Sequence, residues 1–545
     1  LETAFALRGL AVYQLGSMVK EYDVAIVGGS ISGASLALLL RREAPDLRVL
    51  VVERSEKFDR KVGEATTEIS GEFLSKRLAL MTYLAHNQLP KQGLRLWFAE
   101  DAETAFDACV EVGANFQVRM PAFQLDREKL DQHVLECAAR EGADVWRPAK
   151  VAAVELDSDS DVWRRAGADD GPAMSRGGGG TLTVQRGDET VTVRARWIVD
   201  ASGRAAMLAR QRGTWRALEE HPTNAVWARF RRVKDWDGHE LRSRNAMYGK
   251  SCIASRAAAT NHLTGYGWWC WIIPLKGGDF SAGIVYDSRL FTLPEGGRLG
   301  ERLLAHLRSH PVGREIFADA EPIEGDVKAY SKLPYFSTEI AGPGWQIVGD
   351  AAGFIDPLYS PGLDYCSWGV RLALARIKGE AMGERVDLAE INRRFCESYD
   401  TWFRALYLDK YFYMGDAELM SAAYQMDISL FYLGPVREIT VAREHDLDCL
   451  PFNGPVDRRV GRFMKFYNRR LSAIARKRLA AGCYGRRNSG WRELGDGFVP
   501  DPRVLRSFWR GFSRWIGAEI HALTLRPAVE APGPEKPEAE PAAVH

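Results

Sequence analysis

Residues 22–53 read YDVAIVGGSISGASLALLLRREAPDLRVLVVE. YDVAIV is short, apolar and rich in β-branched residues, which suits a buried strand. Gly28 to Gly33 supply a tight turn, Ala34 to Arg42 continue as a helix, and LRVLVVE at 47–53 returns to a strand. Strand, helix and strand in this order predict parallel pairing with a crossover helix. The turn is a G-x-G-x-x-G pattern with Ser30 at the middle glycine. Gly28 permits the turn and Gly33 lets helix and strand approach, while Ser30 is small enough to leave backbone near a pyrophosphate. The N–H groups around Ser30, Ile31 and Ser32 then point at phosphate oxygens. Glu53, at the end of the second strand, offers a carboxylate to a ribose diol, with Arg54 beside it. The pattern predicts a dinucleotide-binding unit.

The remaining chain is long enough for about two to four domains. Its 545 residues hold 73 Lys plus Arg and 72 Asp plus Glu, a balance that argues against a dedicated nucleic-acid surface. None of the eight cysteines forms a C-x-x-C pair, so neither a disulfide framework nor a zinc site is expected. Reduced thiols and a cytoplasmic location follow as expectations. Val24 to Leu40 is the most apolar stretch, but its glycines suit a turn better than a membrane span or a signal core. The chain opens with Leu1, and residues 1–17 before Met18 are set aside as an added or disordered leader.

Further along, DREKLDQHVLECAAREG at 126–142 predicts a helix capped by Asp126 and ended by Gly142, with Leu130, Val134, Leu135 and Ala138 on one face. The polar and Gly-rich stretch 157–180 predicts a mobile hairpin loop. Residues 222–330 alternate apolar and polar positions, as in NAVWARFRRV, and predict an antiparallel sheet forming a substrate layer. Residues 363–385 and much of 390–525 read as helical and aromatic-rich, and 528–545 as a disordered tail. The expected fold is α/β. A dinucleotide-binding domain spans 18–205 and 330–387, a sheet domain 206–329, and a helical cap 388–527 over the substrate site.

Two further turns sharpen the reading. DASGR at 200–204 closes a strand, and GDAAGFIDPLYSPG at 349–362 holds Asp350 before a helix. With the first turn they resemble, in order, the elements of the FAD-dependent monooxygenase superfamily over roughly residues 20–390. The resemblance implies a Rossmann-like FAD-binding domain in which Asp350 touches the ribityl chain. Three features are similar to flavin-dependent halogenases. GWWCWIIP at 267–274 fits W-x-W-x-I-P, with Trp269 and Trp271 as a wall between flavin and substrate. GEAT at 63–66 resembles the strap over the flavin, and Lys91 in KQGLRLWF resembles the family's essential lysine. The resemblance also carries cofactor contacts onto Glu64, Ala65, Thr66, Arg127, Gly362 and Leu363. It places a halide near Ser360, Pro361 and Gly362.

Two positions depart from the family pattern. Tyr359 stands where tryptophan halogenases carry a Glu, which leans away from free tryptophan and toward phenol- or pyrrole-type substrates. Pro361 has no N–H, so one halide donor is lost, at a cost on the order of 1.5–3 kcal/mol. The implied chemistry uses reduced FAD, oxygen and a halide on an electron-rich aromatic, free or carrier-bound, with Lys91 delivering the halogen. The single dinucleotide turn implies a separate flavin reductase. A flavin monooxygenase or dehydrogenase without halide use is the alternative, and a non-catalytic flavin-binding maturation protein is a third. Acid release of the cofactor from purified protein, followed by chromatography, is expected to give FAD; FMN or no flavin affinity would refute the reading.

Overall fold

The computed structural model describes residues 19–114, 120–157, 178–245, 248–249, 255–439, 455–495 and 502–527. The expected leader 1–17, the core of the expected loop (158–177) and the tail 528–545 lie outside these residues.

Strand Lys20–Val27 is central in the first sheet. It pairs in parallel with Val49–Val52 on one side and Glu189–Asp200 on the other. Asp144–Trp146 and Trp345–Ile347 extend the sheet, also in parallel. Val24, Ile26, Val49 and Val51 enter one apolar core, while Ala25, Val27, Leu50 and Val52 enter another. Both faces are covered, which is why YDVAIV and LRVLVVE read as continuous apolar runs. Helix Ile31–Glu43 packs between helices Arg127–Arg140 and Gly362–Ala381. The expected helix at 126–142 thus forms, but Asp126 caps no N–H and pairs with Lys129 at 2.8 Å instead. Strands Lys150–Leu156 and Gly180–Arg186 pair antiparallel on either side of residues 158–177.

Among the described residues, the second sheet has nine strands. Thr223–Arg231, Phe280–Asp287, Trp268–Pro274 and Thr260–Gly265 follow one another antiparallel. Leu94–Phe98, Val110–Ala114 and Arg492–Gly495 then extend the sheet. The sheet therefore draws strands from outside 206–329, because backbone pairing of Thr260–Gly265 captures Leu94–Phe98 in parallel. That pairing fixes the segment just after Lys91 to a rigid element.

Helices Leu388–Trp402, Ala417–Phe431, Pro455–Ala480 and Leu505–Thr524 form the C-terminal region. It shares a core with the sheet: Trp402, Tyr407, Tyr411 and Met420 belong to the same buried cluster as Trp269 and Trp271. Among the described residues, no helix is long and apolar enough to cross a membrane.

The first turn sets a strict steric limit. A Cβ on Gly33 would lie 1.9 Å from the Gly28 carbonyl oxygen and 3.0 Å from the Ile26 side chain. Gly33→Val is expected to destabilise the protein by at least about 3 kcal/mol, the upper end for overpacking. An unchanged urea-unfolding midpoint would contradict this account of the turn.

Candidate active site

Three turns meet at the carboxyl end of the parallel strands. Gly28 has φ +103°, and a Cβ there would lie 2.4 Å from the Ala201 oxygen. Gly349 has φ +61°, and its Cβ would lie 2.2 Å from Ser32 Oγ. The close approaches pack Gly28–Gly33 against the turns at 200–204 and 349–353. Strand Lys20–Val27 has crossovers to both sides, so this is the crevice where open α/β sheets bind ligands. Ile31 is buried at the helix start, and Ser32 Oγ lies 3.1 Å from Cys366 Sγ.

Charged groups line the same crevice. Glu53 accepts from Gly29 N and Ser55 N, both at 2.8 Å, so its carboxylate first braces the turn and keeps one lone pair per oxygen for a diol. Lys61 Nζ donates to Ser30 Oγ at 3.2 Å, and Ser30 hydrogen-bonds Asp131. Arg127 donates to Asp131 at 2.9 and 3.2 Å and to the Val62 carbonyl at 3.1 Å. Burial lowers the Lys61 pKa, Asp131 raises it and Arg127 lowers it again. An anion beside Ser30 would favour the charged amine. Asp350 opens on the crevice although its walls close round it. Burial raises its pKa, while Arg127, Lys61 and Arg204 hold it down. The glycine cradle, two cations and two carboxylates fit a dinucleotide with a diphosphate. Lys61 lies outside every motif read from the sequence. Arg54 is exposed and makes no part of this cluster.

The strap at 63–66 runs along 123–125. Thr66 N donates to the Phe123 carbonyl at 3.0 Å, and Ala65 bridges Gln124. Glu64, expected at the cofactor, has its carboxylate on Arg229 Nη2 of the second sheet at 2.5 Å. Burial raises the Glu64 pKa and Arg229 lowers it. The strap is thereby tied to the second sheet.

Lys91 is 5% exposed, and its Nζ donates to the Thr66 carbonyl at 2.7 Å. Burial pushes its pKa down to about 8, while Glu68 and Asp364 pull it back up. It lines a largely apolar cavity. Thr66, Thr67, Glu68, Pro361 and Asp364 supply one side, and Trp402, Tyr424, Phe431, Tyr432 and Met464 from the helical region supply another. Residues of the helical C-terminal region thus share the cavity lining with the lysine.

The turn before helix Gly362–Ala381 is conformationally unusual. Tyr359 and Ser360 have φ of +67° and +61°. Such left-handed residues cost roughly 1–3 kcal/mol each and persist where the surroundings over-determine them. Asp356 accepts from Leu358 N at 2.9 Å, from Tyr411 OH at 2.9 Å, and pairs with His221 at 3.0 Å. Tyr407 OH adds a bond to the Leu358 carbonyl at 2.9 Å. Pro361 follows with φ −75° and ψ −14°. Gly362 and Leu363 open the helix, where the first N–H groups have no intrahelical acceptor.

The two indoles sit behind this site. Trp269 is 1% exposed and donates to Tyr411 OH at 2.8 Å; Trp271 donates to Ser281 Oγ at 3.2 Å. Their ring centroids are 6.0 Å apart. Neither lines the cavity with Lys91, because both are packed in the core between sheet and cap. Through Tyr411 and Asp356, Trp269 instead supports the strained turn. Sequence reasoning missed Asp364, Glu68 and Tyr432. Asp364 carried one signal: a carboxylate two residues into an otherwise apolar helix start.

Comparisons with known proteins agree with this architecture. A family model described as tryptophan halogenase matches residues 86–414. The chain is 27% identical over 443 residues to the flavin-dependent halogenase chlA of Dictyostelium discoideum, covering 76% of this chain and 70% of that protein. It is 25% identical over 409 residues to a pyrrole-2-carbonyl peptidyl-carrier-protein chlorinase of Pseudomonas fluorescens, covering 71% of this chain and 80% of that protein. The solved structure of halogenase PltM in complex with phloroglucinol and FAD superposes with TM-score 0.68 at 18% identity, covering 92% and 96% of the two chains. That likeness concerns the fold.

The burial of Lys91 has an energetic consequence. Its pKa falls from 10.5 to about 8, so between those values the unfolded chain binds more protons and stability rises with pH. Lys91→Met removes a penalty on the order of 3 kcal/mol at pH 7 and a hydrogen bond worth about 1 kcal/mol. The variant is expected to be more stable than the parent at pH 7 and to lose that advantage above about pH 10. A destabilised variant at pH 7 in chemical denaturation would show that the lysine is not held against its own desolvation.

Proposed function

The chain belongs to the tryptophan halogenase family, and on that premise we propose that this FAD-dependent oxidoreductase halogenates an electron-rich phenol- or pyrrole-type ring, free or attached to a carrier. The observation that carries the reading is Lys91, buried against the strap at the wall of an aromatic-lined cavity. Gly28, Ser30 and Gly33, with Lys61 and Arg127, would hold the diphosphate of FAD, and Glu53 and Asp350 its hydroxyl-bearing chains. Reduced FAD supplies the oxygen chemistry that turns a halide into hypohalous acid. A separate reductase provides the reduced cofactor, since the sequence holds a single dinucleotide turn.

The protein's own groups do the rest. Lys91 keeps one N–H on the Thr66 carbonyl at 2.7 Å and has its others for the oxygen of hypohalous acid. An aromatic ring bound in this cavity would lie beside that amine, with Trp402, Tyr424 and Tyr432 around it to exclude water that would compete for the halogen. The N–H groups of Gly362 and Leu363, at the positive end of a 20-residue helix, are the donors left for a halide once Pro361 contributes none. That missing donor is the one observation favouring a second reading, oxygenation of the same ring without halide.

A flavin reductase, NADH, bromide and a phenol separate the two. The parent protein is expected to add bromine to the phenol, and Lys91→Ala to lose that product while still consuming oxygen. Pro361→Ser keeps an allowed backbone and adds an N–H, so apparent halide affinity should rise about tenfold, the equivalent of about 1.4 kcal/mol. Oxygen insertion of equal rate with and without bromide would overturn the halogenase reading.

A further inference from the structure

Three carboxylates line the cavity with Lys91, and they differ in how far they are satisfied. Asp427 accepts from Lys410 Nζ at 2.5 Å, from Tyr467 OH at 2.5 Å and from Tyr359 OH at 3.4 Å. Glu68 accepts from Tyr432 OH at 2.5 Å. Asp364 is 1% exposed and uses one oxygen only: Oδ1 accepts from Thr67 Oγ1 at 2.7 Å and from Ser70 N at 3.2 Å. Its Oδ2 is buried with no hydrogen-bond partner. A buried carboxylate oxygen left unpaired costs about 1–3 kcal/mol or more, so a group that persists in this state needs a reason.

The strap supplies the geometry. Thr66 holds the Lys91 amine through its carbonyl, and the next residue, Thr67, holds Asp364 through its hydroxyl. One turn of backbone thus carries a cation and a carboxylate into the same cavity. We propose that Asp364 is a catalytic base of this site, whose free Oδ2 accepts the hydroxyl of a phenolic substrate and takes up the proton released on halogenation. The inference rests on the halogenase reading for its chemistry, and it names the substrate class as a phenol.

The step balances as follows. A ring carbon attacks the halogen of hypohalous acid held at Lys91, forming the carbon–halogen bond and breaking the oxygen–halogen bond. The departing hydroxide takes a proton from the Lys91 ammonium and leaves as water. The phenol O–H proton passes to Asp364 Oδ2 as charge builds on the ring, and the ring C–H proton then restores the hydroxyl. Transfer of one proton from Asp364 to Lys91 resets both groups. Burial pushes the Asp364 carboxyl up to about 7, against hydrogen bonds from Thr67 and Ser70 that lower it and Glu68 that raises it. Lys91, Glu68, Tyr407 and Tyr365 are the titratable neighbours that face it. A base near neutrality beside an acid at about 8 suits proton exchange in both directions.

Asp364→Asn isolates the claim. Its amide carbonyl can keep the bonds from Thr67 and Ser70, while an N–H donor replaces the acceptor at Oδ2. In the FAD-loaded protein, fluorescence titration compares 3,5-dihydroxytoluene with its dimethyl ether. The parent should prefer the phenol by at least tenfold, and Asp364→Asn should lose that preference with ether affinity and FAD content unchanged. In turnover, kcat should rise with pH through about 7 in the parent. The variant should lack that limb and fall on the order of 100-fold in kcat, with partial rescue by Asp364→Glu. Thr67→Val removes a bond to the charged form, so it should move the limb to higher pH. This second variant also decides the matter should Asp364→Asn fail to fold. An unchanged phenol preference, or an unmoved limb in Thr67→Val, would overturn the proposal. If the parent makes no halogenated product, the binding comparison alone judges Asp364, and the halogenase reading falls separately.

Discussion

The Glu64–Arg229 pair, closed at 2.5 Å with both side chains almost wholly buried, joins the segment at 63–66 to the second sheet. Arg229 also meets Asp326 at 3.1 Å, so the guanidinium sits between two carboxylates. Such a cluster is a poor source of net stability, since desolvation offsets much of the attraction, but breaking it leaves a buried charge at about 3–5 kcal/mol. Its value here is positional. Glu64 is two residues before Thr66 and three before Thr67, the two residues that hold Lys91 and Asp364. A slack strap would let amine and carboxylate drift apart, and misplacement by an ångström costs catalysis heavily. That carboxylate is engaged by Arg229, so what the pair fixes is the placement of the strap's backbone.

The dinucleotide unit was legible because its constraints are local. Gly28 and Gly33 are demanded by approaches of 2.4 and 1.9 Å, and the strands flanking them are buried on both faces, so pattern and sterics agree. Lys91 was legible only through resemblance to a family; nothing in KQGLRLWF says that a lysine there is buried. The C-terminal region was legible as aromatic-rich helix, and several of its residues line the cavity.

The cavity itself was not legible. Its walls come from the strap, the segment before Leu94–Phe98, the turn at 359–364 and three stretches of the cap, which only the tertiary fold brings together. Glu64 and Trp269 show a second limit. Each gives a polar atom to a distant neighbour, Arg229 or Tyr411, that the motif around it does not announce. Spacing along the chain identifies which residues share a turn, but not which of several polar partners wins once the layers pack. Lys61 was missed for the same reason: its partner Ser30 lies far away in sequence, across the crevice.

Pro361 brings these threads to one residue. Two successive left-handed residues, Tyr359 and Ser360, must be held at a combined cost of several kcal/mol. Asp356, His221, Tyr407 and Tyr411 fix the turn from behind, and Trp269 fixes Tyr411. Pro361, with φ already set near −75°, removes backbone freedom from the unfolded chain at the point where the turn must convert into a helix. The proline that offers no N–H of its own therefore also stabilises the conformation that delivers the helix and Asp364 to the cavity. Rigidity of the turn and the number of N–H donors at the helix start pull in opposite directions at this position. The arrangement settles on a rigid turn, with the N–H groups of Gly362 and Leu363 left without intrahelical acceptors.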